Sequence, residues 1–216
     1  MEKGLFEKAF INNLNKNFQN RSKYFNIEFY VFSELGGTVF EINKCLILEF
    51  YRASITLTNN LLERLLKLSL IYNEAGIGPK PVEDWSSIFE ESNKKFTSIS
   101  LGNSVEKCRK LDLITENEKV FLFDTIRDLM RNGFSHADSS KILNGIPEET
   151  TMFQSSFSNP TEIKPVTLNQ KTIPFIQAIH IENFAKENAS NYFDYVYKLI
   201  KKMDQRLIDK NKKTSI

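Results

Sequence analysis

Apolar positions recur at helical spacing over most of the chain. Leu5, Phe6, Ala9, Phe10, Leu14 and Phe18 predict an amphipathic helix over residues 5–19, broken at Asn20-Arg21-Ser22. Residues 26–43 are ambiguous. Phe29, Phe32, Leu35, Val39, Phe40 and Ile42 suit a helix, but Gly36-Gly37 weakens one by about 1 kcal/mol per Gly, so two short helices or a strand are alternatives. Residues 45–74 predict a long helix with little polar face, buried on several sides, with a kink or late start near Thr56 and Thr58. Glu63 and Lys67 lie one turn apart on its exposed strip and are expected to pair. Gly76-Ile77-Gly78-Pro79-Lys80-Pro81 ends it.

Asp84 is placed to cap a helix from Trp85 to Phe96, with Trp85 expected as a core anchor. A short helix from Ser104 to Lys110 follows. Thr115 to His136 then predicts one amphipathic helix, opened by a Thr115/Glu118 capping box. Val120, Phe123, Ile126, Met130 and Phe134 share its apolar face, widened by Leu122 and Leu129. Asp124, Thr125, Asp128 and Asn132 lie opposite. Residues 138–174, rich in Pro, Ser, Thr and Asn, predict a loop-rich excursion. It has room for short strands around Met152–Phe157 or Ile163–Leu168, and it leaves the preceding helix where it could serve either as a lid or as a surface excursion. Residues 179–209 predict a final amphipathic helix from Ile181 to Leu207.

The chemistry gathers at the end of the Thr115–His136 helix. If the helix continues to its end, Arg131 and His136 border the polar face roughly 140° and about 7.5 Å apart, with Asn132 one turn before His136. An Arg side chain can return its guanidinium towards the imidazole, making a small cationic site suited to phosphate. Gly133 raises the prospect of a helix end before His136. As ordinary structural residues, Arg131 would pair with Asp124 or Asp128, and His136 would be a histidine favoured at a helix C-terminus. His180, the other histidine, reads as a turn or capping residue before the last helix.

Arg131-Asn132, a short gap and His136 at the end of an apolar helix resemble the Arg-x4–6-His motif of HEPN domains, in which a polar residue often follows the Arg. The short helix before it and the Asn59–Leu70 segment are similar to helices of such domains, and the likeness spans about residues 45–136. The resemblance implies an all-α, HEPN-like bundle of about five to seven helices as one domain, with the 138–174 insertion before the C-terminal helix. It also implies a metal-independent endoribonuclease without cofactors, giving cyclic-phosphate products, usually as a homodimer whose two motifs share a cleft. Arg131 would clamp the phosphate, His136 would act as general acid or base, and Asn132 would orient either. A toxin or phage-defence setting, with an antitoxin or nucleotidyltransferase partner, follows by analogy. The alternative is a non-catalytic helical interaction or nucleotide-binding module.

Composition adjusts this picture in a few places. Eighteen Phe and 41% hydrophobic residues suffice for a core. A transmembrane helix and a signal peptide are not expected, and Cys45 and Cys108 are too few for a disulfide framework, so a reducing cytoplasm is expected. The charge of +2 is nearly neutral, but residues 198–213 carry seven Lys or Arg against two Asp, net +5. That run reads as a solvated helix face or as a surface that captures RNA. Sequence signatures of zinc proteases, P-loops and nucleophile elbows are missing.

Overall fold

The computed structural model describes residues 2–26, 28–135 and 140–214, apart from the side chains of Asp128, Leu129, Asn132, Ser135, Lys141, Lys213 and Thr214. The chain is mostly helical, with one small two-stranded sheet. Among the described residues the helices are α1 (Lys3–Arg21), α2 (Gly36–Ile47), α3 (Tyr51–Ala75), α4 (Trp85–Phe96), α5 (Leu101–Lys110), α6 (Glu116–Phe121), a π-helical stretch (Leu122–Ser135), α7 (Ser140–Asn144) and α8 (Pro174–Thr214). No helix among them is long and apolar enough to cross a membrane.

The axis of the fold is α3. Leu61, Leu62, Leu65, Leu66 and Leu70 are almost wholly buried, which places apolar side chains on several sides of one helix. Around it pack α8, α2, α4, α5 and the π-helical stretch. The predicted face of α8 is where the sequence puts it: Ala185, Ala189, Phe193, Val196, Ile200 and Met203 are all buried. One apolar cluster runs from Tyr24 to Leu207.

Several expectations need correction. The 45–74 helix is two. The chain leaves α2 at Leu48, turns through Glu49 at a φ of 64°, and restarts at Tyr51, where Ser54 Oγ bonds the Phe50 carbonyl. Gly36-Gly37 opens α2 rather than breaking a helix. Asp84 stands at the start of α4 without a side-chain capping bond. Trp85 is not a core anchor: it is 52% exposed. His180 sits within α8 rather than before it, with Nε2 2.9 Å from Gln170 Oε1.

α1 forms as expected but is docked by its polar side. Asn13 Nδ2 donates to the Leu48 carbonyl at 3.2 Å and Asn17 Nδ2 to the Ile47 carbonyl at 3.0 Å, satisfying open carbonyls at the end of α2. Lys16 bonds Glu49 at 2.7 Å, and the buried Arg21 bonds Asn43 and Asp194. Leu5, Phe6, Ile11, Leu14 and Phe18 consequently face outward, each more than 40% exposed.

The 138–174 excursion contains an antiparallel hairpin, β1 (Glu149–Ser156) and β2 (Asn159–Asn169), pairing Met152 with Val166 and Thr150 with Leu168. Its base is pinned where Gln170 donates to the carbonyls of Glu148 and Pro147. Beyond the base, nearly every strand residue is exposed, Phe153 to 74%. This exposure suits the surface excursion of the two alternatives.

Candidate functional site

The predicted capping box is present. Glu118 N bonds Thr115 Oγ1 at 3.2 Å, and Thr115 N bonds Glu118 Oε2 at 2.9 Å. After Phe121 the helix widens to π winding and runs past Gly133, which is buried, to Ser135. This overturns the single α-helical wheel. Leu122, Ile126 and Met130 are buried at spacings of four, whereas Val120 is 48% exposed and Phe123 and Phe134 only border the core. The i→i+5 hydrogen bonding of a π-helix packs more residues into each turn, so α-helical angles do not apply along Leu122–Ser135. π turns are rare and frequently fall at functional sites.

At this winding the main chain is gripped from two helices. Asn59 Nδ2 of α3 donates to the Met130 carbonyl at 3.0 Å, and Tyr192 Oη of α8 donates to Asn59 Oδ1 at 2.8 Å. Asn59 is 3% exposed and so is Tyr192. Buried polar groups persist when they are bonded in this way. Burial foremost, and then the charge of Glu63, raise the Tyr192 phenol well above its ordinary pKa, so it remains a hydrogen-bond donor.

The next residue is Arg131. Its Nε bonds Glu63 Oε1 at 2.6 Å, with the two side chains 28% and 27% exposed. Asn59 and Glu63 are one turn apart on α3, so a single face of that helix holds both the Met130 carbonyl and the Arg131 guanidinium. Glu63 is the partner the sequence did not reveal. It was expected to pair with Lys67, whose Nζ instead donates to the Thr97 carbonyl at 2.8 Å. Arg131 was expected, as a structural residue, to pair with Asp124 or Asp128; it reaches across to α3, and the side chain of Asp128 lies outside the described residues.

Of the three predicted site residues, Arg131 is therefore positioned in full. Asn132 lies in the π-helical stretch, with its side chain outside the described residues, and His136 lies outside them altogether. Phe134 packs against Phe184 of α8, ring centroids 6.1 Å apart. Among the described residues no group of three or more His, Cys, Asp or Glu offers a metal-ligand set.

The arrangement suits an anion. Glu63 engages the guanidinium through Nε, and among the described residues no hydrogen bond to Nη1 or Nη2 is formed. A guanidinium fixed at its inner nitrogen presents the outer pair as a fork matched to two phosphate oxygens. Comparison of the chain with protein-family models, with curated proteins and with solved structures finds no match.

Proposed function

We propose that this chain cleaves RNA at a site built on Arg131, Asn132 and His136, in the manner of the HEPN domains that the motif resembles. The observation that carries the reading is the Arg131 guanidinium, held through Nε by Glu63 and, among the described residues, without a hydrogen bond at its outer nitrogens. In the reaction, the ribose 2′-oxygen attacks phosphorus and the bond to the 5′-oxygen breaks, leaving a 2′,3′-cyclic phosphate and a 5′-hydroxyl. One proton leaves the 2′-hydroxyl and one reaches the departing oxygen. Imidazole does either near neutral pH, so His136 is assigned as acid or base. Arg131 stabilises the charge growing on the phosphoryl oxygens, and Asn132 orients His136 or the phosphate. Two copies with their motifs facing would supply the second imidazole. Glu63 is a positioning residue that aims the guanidinium.

The testing experiment is incubation of the purified chain with RNA in excess EDTA, beside Arg131→Ala and His136→Ala. The reading expects cyclic-phosphate ends from the parent chain and intact RNA from both variants. Intact RNA from the parent chain across pH 5 to 9 would overturn it.

One observation favours a second reading, an interaction module without catalysis. Five large apolar side chains of α1, from Leu5 to Phe18, face solvent, and contiguous exposed apolar surface marks contact sites. On that reading Arg131 and Glu63 brace the helix end, RNA survives, and a stable complex forms through α1.

A further inference from the structure

Far along α3 from Glu63, where the helix ends at Gly76, the chain forms an open cavity of about 530 Å³ walled by aromatic rings. Tyr30, Tyr72, Trp85 and Phe89 line it, with the Gly76–Lys80 loop as its rim. Ligand sites for small molecules fall in the same range of roughly 300–1,000 Å³. Two of the rings are costly to leave in water, yet Trp85 is 52% and Tyr30 77% exposed. Trp85 is also fixed: its Nε1 donates to the Lys80 carbonyl at 3.2 Å. The bond tethers the indole at one edge and leaves half of the residue uncovered.

The cavity has a cationic rim and an anionic neighbour. Lys80 Nζ bonds the Ala75 carbonyl at the end of α3, folding across Gly76. Gly76 has a φ of 79°, which favours glycine at the turn, and Lys80 Nζ lies 3.3 Å from where a Cβ would stand. Among the described residues the amides of Ile77 and Gly78 make no backbone hydrogen bond. Tyr72 Oη donates to Glu34 Oε1 at 2.6 Å, so a carboxylate stands at the hydroxyl end of that ring. Burial, then that hydrogen bond, hold the Tyr72 phenol well above its ordinary pKa.

We propose that this cavity binds a nucleotide, the base stacked on Trp85 and Tyr30 and the phosphate held by Lys80 and the loop amides. Flat rings accept any base through its π face. A proline-rich peptide also fits aromatic grooves but carries no anion to meet Lys80 and the loop amides. The proposal is independent of the Arg131 site. Tyr72 lies nine residues from Glu63, half a helical turn out of phase on α3, so the cavity opens on the opposite side of that helix.

Trp85 is the sole tryptophan in the chain, so its emission reports on this cavity alone. The experiment titrates the full chain with AMP and UMP, with adenosine, with inorganic phosphate and with a polyproline peptide. Saturable quenching by both nucleotides is expected. Adenosine should bind about tenfold more weakly for want of its phosphate, inorganic phosphate should leave the emission unchanged, and Lys80→Ala should reduce AMP to the adenosine level. Arg131→Ala should leave the titration as it was. Trp85→Ala, followed by calorimetry and shown folded by circular dichroism, should lose AMP binding. Unchanged emission with millimolar AMP would overturn the proposal, and so would quenching by the peptide but not by nucleotides. An AMP preference that survives Lys80→Ala would overturn the placement of the phosphate.

Discussion

Two glutamates, each joined to an arginine, show how differently the same pair of side chains is used. Glu118 is 8% exposed at its side chain and saturated: Arg206 reaches both of its oxygens, Lys202 bonds one at 3.0 Å, and the Thr115 amide completes the capping box. Glu63 is 27% exposed at its side chain and holds Arg131 through Nε. In the first cluster the cations are spent on structure, since Arg206 also bonds the Leu113 carbonyl and ties α8 to the turn before α6. In the second, a guanidinium is held at Nε, and among the described residues its outer nitrogens form no hydrogen bond. A saturated charge cluster holds elements together, whereas the proposed site rests on one that is unsaturated among the described residues.

The sharpest way to break this contrast is to remove each anchor. Glu118→Ala strips a buried carboxylate from two cations and a helix cap, and should cost about 3–5 kcal/mol in chemical denaturation. Arg131→Ala should lower RNA cleavage by about 10²–10³-fold, with a much smaller loss in the same denaturation experiment.

Acid sharpens the difference further. Burial opposes the charge of Glu118, but bonds from Arg206, the Thr115 amide and Lys202 outweigh it and bring its carboxyl from 4.5 to about 2. A pKa lowered by folding gives stability that is present above pH 4.5 and lost as the pH falls towards 2. Thermal melts of the parent chain should decline through that window, and Glu118→Gln should flatten the decline. Tyr192→Phe, which removes the buried bond from Tyr192 Oη to Asn59 Oδ1, should cost about 1–2 kcal/mol. Smallest is Lys67→Ala, about 0.5 kcal/mol or less, because its bond to Thr97 is exposed.

These two clusters also mark how far the sequence could be read. The Glu118 capping box was legible because its partner is three residues away, and local spacing fixes local geometry. Arg206 and Lys202 were legible only as part of a basic run; Lys198, Lys201, Lys202 and Lys212 are indeed exposed, but the distant Glu118 draws Arg206 and Lys202 into bonds that the run does not reveal. Glu63–Arg131 spans 68 residues, and no periodicity relates them. Helical spacing identified the faces of α3 and α8 because each face is covered along its length. It failed at α1 and Trp85, since spacing shows which residues share a face but not whether anything covers it. The π winding was hidden as well, because the buried positions Leu122, Ile126 and Met130 fit an α-helical wheel as readily as a π one. The strands at 149–169 were legible only as alternatives, in a segment whose polar composition gives two exposed faces and so no alternating pattern.

The most direct measurement compares Arg131→Lys with the parent chain, by RNA cleavage in EDTA and by thermal melting. Lysine keeps the charge beside Glu63 but lacks the fork. The account predicts a melting temperature near that of the parent and cleavage lost to the level of Arg131→Ala. Cleavage by Arg131→Lys or Arg131→Ala at the parent rate, or no cleavage by the parent chain at all, would contradict it.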